Sequence, residues 1–140
     1  MRTLYIGKDF SDDPSGRFYT DGDGSGEEFR EEILRPIIAS GKKFKLNIDE
    51  NVEGYGSSFL VEAFGGLIKF GYFTKAQVED SFDIDYDDLD FEFYEKKINQ
   101  YINEALYNSQ KYVSTKDEAI AEGRYKELID KTFVEEFCKG

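Results

Sequence analysis

Short stretches in which apolar and polar residues alternate predict β-strands. Residues 43–48 and 82–86 alternate strictly, and a period of two is typical of a strand with one buried face. Residues 3–6 and 17–20 are short apolar runs on either side of the turn-rich segment 8–16, and they predict a hairpin or near-hairpin. The pattern therefore predicts about four strands.

Longer stretches show helical spacing. The most regular runs from Tyr55 to Gly71, with apolar residues spaced along one broad helical face. Other helices are predicted from about Ser25 to Gly41 and from Asp90 to about Tyr112, whereas 72–81 gives no clear pattern. A last helix, opened by Ser114 and Asp117, is predicted on the apolar residues Ile120, Tyr125, Leu128, Ile129, Phe133 and Phe137.

These elements predict an α/β fold in which helices pack on a small mixed sheet. Residues 1–112 are expected to form one domain, and residues 113–140 a C-terminal helical extension packed on it. A chain of 140 residues is long enough to bury a core without disulfides or metals.

Composition excludes several function classes. The net charge of −12 argues against direct binding to nucleic acid, whose affinity depends on Lys and Arg. The absence of histidine excludes imidazole catalysis and His-ligated zinc. With no evident pair of nucleophile and base, we expect no enzyme and no cofactor. The single cysteine and the lack of a signal peptide or an apolar span favour a cytoplasmic protein without a membrane partner.

Ser57 and Ser58 stand at the start of the most regular helix, and two interpretations remain open. Either a serine caps free backbone amides there, or the pair is a phosphorylation switch on a docking surface. A phosphate would gain from the helix N-terminus and lose against Asp49 and Glu53. Tyr55 lies in the same turn and completes the predicted partner-binding site.

Residues Asp21–Glu32 fit the spacing of a calcium loop. The candidate ligands are Asp21, Asp23, Ser25 and Glu32. The alternative is a helix start in which Ser25 and Glu28 form a capping box. Glu28 also stands where a calcium loop has an apolar residue, which favours the capping interpretation.

The segment from Glu79 to Glu95 carries nine carboxylates and no Lys or Arg. It is either a solvated face or a surface for a basic partner. The residues assigned to this acidic surface are Asp83, Asp85, Asp87, Asp88 and Asp90.

Two stretches, Gly16–Arg30 and Gly56–Leu67, together resemble the bacterial STAS-like domain family of unknown function. The order of strand, acidic loop, serine turn and helix is similar to that of the STAS domains of anti-sigma-factor antagonists. In those domains the first serine of the turn is phosphorylated, after an aspartate; Gly56 takes the place of that aspartate here.

The resemblance implies a non-catalytic regulatory module that docks a protein partner, with a histidine-kinase-type ATPase as the expected class. Ser57 would be the phosphorylated residue and Ser58 its neighbour. The alternative, from the charge, is an acidic phage or mobile-element inhibitor that blocks the basic nucleic-acid-binding surface of a host defence protein.

Overall fold

The fold is built on a small parallel sheet. The computed structural model describes residues 1–108, 111–126 and 130–139. In that part of the chain the strands are β1 (Thr3–Tyr5), β2 (Phe44–Asn47) and β3 (Phe82–Asp85), in the order β1-β2-β3. Both pairs are parallel, so the expected mixed sheet with a hairpin is wrong, although the α/β class is confirmed.

The predicted strand at residues 17–20 does not form, which leaves three strands in the described residues rather than four. Asp21 explains the difference. Its carboxylate accepts hydrogen bonds from the backbone N–H groups of Arg17 (3.0 Å) and Phe18 (2.9 Å), and the chain turns into a 3₁₀ helix at Tyr19–Asp21. Amides bound to a local side chain cannot pair with a strand.

Two long helices follow β1 and β2, each with a π-helical middle section. Helix α1 comprises Gly26–Glu28, Phe29–Leu34 and Arg35–Ala39, and helix α2 comprises Ser57–Leu60, Val61–Gly65 and Gly66–Lys69. The remaining α-helices in the described residues are α3 (Lys75–Ser81), α4 (Glu92–Glu104), α5 (Lys116–Ala121) and α6 (Thr132–Lys139), and a π-helix, Ile6–Phe10, directly follows β1. None of the helices in the described ranges is long and apolar enough to cross a membrane.

Helix α2 lies at the centre of the core. Every residue of its apolar stripe is buried, with Phe59 and Phe64 fully inaccessible. The Phe59 ring stacks on Phe29 of α1, with 5.9 Å between ring centroids. Burial of each such side chain stabilises the fold by about 1.5–3 kcal/mol. The stripe consists of Phe59, Leu60, Ala63, Phe64, Leu67 and Ile68.

Helix α4 ends at Glu104, well before the predicted end near Tyr112, because the next residue, Ala105, is extended (φ −67°, ψ 138°). The chain instead places Tyr112 against α1, where its hydroxyl donates a hydrogen bond to Glu27 (2.5 Å). Glu27 also accepts one from the Thr115 hydroxyl (2.6 Å). Tertiary contacts with a buried carboxylate thus override the helical spacing.

The predicted last helix is divided in two. Helix α5 ends just before Gly123, whose φ of 72° is incompatible with a continuing helix. Helix α6 packs on the main core, with the Phe137 ring 5.7 Å from Phe44 of β2. Leu128 and Ile129, assigned to the same helix from the sequence, lie outside the described residues.

Arg30 joins α1 to α2 and is fully buried. Its guanidinium donates hydrogen bonds to the Glu62 carbonyl (2.7 Å) and carboxylate (2.5 Å), and to Glu31 (2.8 Å). The guanidinium also lies about 5 Å from the rings of Phe70 and Tyr112. Burial lowers the pKa of Arg30, but the two carboxylates outweigh it and raise the pKa above its ordinary value.

Two adjacent glycines of α2 differ in the space around them. Both have ordinary helical dihedrals, yet a Cβ on Gly66 would lie 2.4 Å from Arg30 Nη1, whereas a Cβ on Gly65 meets nothing closer than 3.6 Å. We therefore expect Gly66→Ala to destabilise by about 1–3 kcal/mol and Gly65→Ala to stabilise by up to about 1 kcal/mol. Urea denaturation of both variants checks this, and equal effects would contradict the assigned role of Gly66.

Candidate functional site

The loops that follow the three parallel strands meet at one edge of the sheet. Tyr5 pairs with Asn47, and Asn47 pairs with Asp85, so the strands end in one row. The Asn47 side chain donates a hydrogen bond to Asp85 (3.1 Å) across that row. In open parallel sheets, ligands bind beyond the carboxyl ends of the strands, which makes this edge the candidate site.

Ser57 and Ser58 begin helix α2 at this edge, but neither serine is the N-cap. The cap is Gly56, in an extended conformation (φ −78°, ψ 148°) and without a side-chain hydrogen bond. Both serines are exposed, and neither hydroxyl has a hydrogen-bond partner in the described residues. The capping interpretation is therefore wrong, and the two hydroxyls face solvent at the first turn of the helix.

The turn before the serines is held firmly. The Tyr55 hydroxyl donates a hydrogen bond to the Ile48 carbonyl (2.7 Å), and its ring packs on Phe59 and, edge-on, on Tyr94 of α4. A Cβ on Gly54 would lie 2.6 Å from the Tyr94 hydroxyl, so a larger residue there would displace the end of that side chain. Burial raises the pKa of Tyr55 far above its ordinary value. Tyr55 is thus a neutral anchor that positions the serines.

Asp49 ties the β2 loop to the β3 loop. Its carboxylate accepts hydrogen bonds from the backbone N–H groups of Asp87 (2.8 Å) and Asp88 (2.9 Å). Partial burial raises the pKa of Asp49, but these hydrogen bonds outweigh it and the pKa falls below its ordinary value. Asp49 therefore stays ionised and serves as a structural bridge, while Glu53 is exposed beside the serine turn.

Only three of the five residues predicted for the acidic surface are exposed together. Asp87, Asp88 and Asp90 are exposed together on the loop after β3. Asp85 is half-buried against Asn47, and Asp83 lies earlier on β3, where it pairs with Lys43 (3.6 Å). The exposed group at the carboxyl edge is thus the last three aspartates.

Two large apolar residues stand within this acidic group and were not assigned to the site from the sequence. Leu89 is 79% exposed and Phe93 is 58% exposed. Leu89 lies between Asp88 and Asp90, and Phe93 falls outside the buried stripe of α4. Both signals were readable in the sequence.

Each of the four candidate calcium ligands makes hydrogen bonds to other groups of the protein. Asp21 binds amides of residues 17 and 18, and Asp23 accepts a hydrogen bond from the Lys126 amide (3.2 Å). Ser25 caps α1 by accepting from the Glu28 amide (3.1 Å). Glu32 binds Tyr19, Lys116 and Lys131. In the described part of the chain, no group of three or more carboxylates or thiols is arranged to hold a metal ion.

The predicted capping box at α1 is half present. Ser25 caps as expected, but the Glu28 carboxylate binds the amide of Gly24 (2.8 Å) rather than that of Ser25. Glu28 is buried, and burial raises its pKa against the opposing hydrogen bonds from Gly24 and Tyr125. Its hydrogen bond to the Gly24 amide holds the preceding loop against the start of α1.

One family model matches part of the chain that forms this edge. The family model described as a STAS-like domain of unknown function (DUF4325) matches residues 25–80, from the N-cap of α1 into α3. The match includes Asp49 and the whole serine turn. No curated protein and no solved structure matches the chain. Residues 25–80 therefore match a STAS-like domain of unknown function, the family that the two sequence motifs indicated.

Proposed function

We propose that the protein is a regulatory, non-catalytic module that docks a partner protein at the N-terminus of helix α2. The observation that carries the proposal is the serine turn. Ser57 and Ser58 present solvent-facing hydroxyls that do not cap the helix, after a turn held by the hydrogen bond of Tyr55 to Ile48. An exposed polar group on a rigid support is typical of a recognition site rather than of packing.

Phosphorylation of Ser57 would change this surface in a defined way. The first turn of α2 favours an added negative charge because its backbone N–H groups point outward. The exposed Glu53 and the ionised Asp49 oppose it. A phosphate would thus add charge to an already acidic edge, and we expect it to weaken binding of a partner that recognises the unmodified turn. The resemblance to antagonist STAS domains makes a histidine-kinase-type ATPase the proposed partner class.

The experiment is affinity capture from lysate of the native host, with and without ATP, on immobilised wild type and Ser57→Glu. We expect Ser57→Glu to recover the main partner at least about tenfold less, a loss of ~1.4 kcal/mol. Ser15→Glu is the matched control, since Ser15 is also exposed but lies in the loop before α1. Thermal unfolding of each variant verifies the fold.

The outcomes separate docking from switching. If Ser57→Glu recovers the same proteins in the same amounts as wild type, docking at this turn is wrong. If Ser57→Glu loses the partner but intact-mass spectrometry after incubation with lysate and ATP finds no phosphate on Ser57 or Ser58, docking stands and the switch is wrong.

A second candidate function rests on the exposed Asp87, Asp88 and Asp90. It is the acidic inhibitor, which would cover the basic nucleic-acid-binding surface of a host defence protein. A cluster of exposed carboxylates with a chain charge of −12 complements such a surface. This function differs from the first in that Ser57 would not contribute to binding.

A further inference from the structure

The loop after β3 presents two apolar side chains on fixed backbone. Leu89 opens a 3₁₀ turn, Leu89–Phe91, whose N-cap is Asp88 accepting a hydrogen bond from the Asp90 amide (3.0 Å). Phe91 anchors that turn in the core at 6% exposure. Phe93 lies in the first turn of α4, with its ring 5.3 Å from Tyr94, edge-on. Leu89 and Phe93 are therefore both exposed from fixed backbone positions.

The rim of this apolar pair is acidic. Asp87, Asp88, Asp90 and Glu92 are all exposed within a stretch of six residues. Two cations of the following turn of α4 contact this group: Lys96 pairs with Glu92 (3.2 Å), and Lys97 lies 5.6 Å from the Phe93 ring. Three aspartates therefore remain without a cationic side chain beside them among the described ion pairs.

We propose that Leu89 and Phe93 form the centre of a docking surface for a cationic amphipathic segment of a partner protein. The apolar pair would contact the apolar face of such a segment, and the aspartates would pair with flanking Lys or Arg. A group of exposed apolar side chains with a polar rim is typical of an interaction surface. The rim excludes a second copy of this chain as the occupant, because two such surfaces would repel each other.

This docking surface extends the proposed function. It depends on that function in one respect, namely that a protein partner exists. It adjoins the serine turn, since Tyr94 packs on both Phe93 and Tyr55. A partner that contacts the serine turn would thus find a second, apolar contact next to it. Leu89 and Phe93 would add apolar contact to the charge attraction that this acidic edge exerts on a cationic partner.

The test uses a synthetic, fluorescein-labelled amphipathic peptide of about 16 residues, with Leu at helical spacing and Lys elsewhere. A scrambled peptide of the same composition is its control. Fluorescence anisotropy at about 150 mM salt measures Kd. We expect Leu89→Ser/Phe93→Ser to raise the Kd of the amphipathic peptide about tenfold or more. The control variant Leu106→Ser/Val113→Ser, at side chains 73% and 76% exposed elsewhere, should leave it within about twofold.

Charge is tested separately with Asp87→Asn/Asp90→Asn, which should raise Kd and flatten its dependence on salt. The proposal is overturned if Leu89→Ser/Phe93→Ser binds like wild type, or if the scrambled peptide binds equally well, since charge alone would then account for binding. Failure of the serine-turn proposal is thus seen in the lysate capture, and failure of the apolar surface in the peptide titration.

Discussion

Arg30→Ala is expected to lower the free energy of unfolding by about 3–5 kcal/mol, the range for removing one partner of a buried ion pair. The side chain is fully buried, and Glu62, its partner on α2, has a side chain only 11% exposed. Removal of the guanidinium leaves the Glu62 carboxylate nearly buried without its closest cation. It also removes the group that fills the space between Phe70 and Tyr112.

Arg35→Ala is the matched control for this effect. Arg35 pairs with Glu31 (2.7 Å), the same carboxylate that Arg30 contacts, but its side chain is 41% exposed. A surface pair of this kind contributes at most about 1 kcal/mol. Urea denaturation followed by circular dichroism compares the two variants. If both lose the same stability, the buried network does not hold α1 to α2.

Gly26→Ala is expected to cost about 3 kcal/mol or more, at the upper end of the range for overpacking. A Cβ on Gly26 would lie 2.5 Å from the Phe59 carbonyl oxygen and 3.2 Å from the Ala63 amide nitrogen. Both atoms belong to the backbone of α2, so neither can rotate away as a side chain could. The start of α1 would have to move from α2, which carries the serine turn.

Thermal and urea unfolding measure the loss, with Gly65→Ala as the control for replacing a glycine that has room for a Cβ. We also expect Gly26→Ala to weaken partner capture, because the Phe59 segment that it displaces follows Ser58 directly. A Gly26→Ala variant with wild-type stability would show that α1 and α2 do not approach as closely as described.

The parts of the fold that could be predicted depend on local pattern. The alternation at 43–48 and 82–86 predicted β2 and β3, and the stripe of α2 was found buried at every position. Residues 17–20 look equally apolar, but the Asp21 side chain captures their amides. Sequence spacing does not reveal which backbone groups a nearby carboxylate will bind.

The end of α4 could not be predicted because it depends on a distant contact. Tyr112 keeps helical spacing with α4, yet its hydroxyl binds Glu27, which lies 85 positions earlier. The parallel direction of β1 was missed for a related reason, since pairing with β2 requires the intervening α1 to cross over the sheet.

The place of the serine turn in the fold could be predicted, but its contacts could not. Ser57 and Ser58 were placed correctly at the start of α2, while the capping role failed because Gly56 supplies the cap with its backbone alone. Asp49 was expected to face a partner, and instead it binds the amides of the β3 loop. That contact joins two loops which are far apart in sequence.

The hydrogen bonds of Glu27 and Glu32 bear on where the functional unit ends. Both carboxylates lie within the family-matched segment, and their donors, which include Tyr112, Lys116 and Lys131, lie beyond it. Burial raises the pKa of Glu32, but the hydrogen bonds from Lys116, Lys131 and Tyr19 outweigh it and the pKa falls below its ordinary value. Donors outside residues 25–80 thus hydrogen-bond both carboxylates, so a fragment limited to the matched segment would leave Glu27 and Glu32 without them.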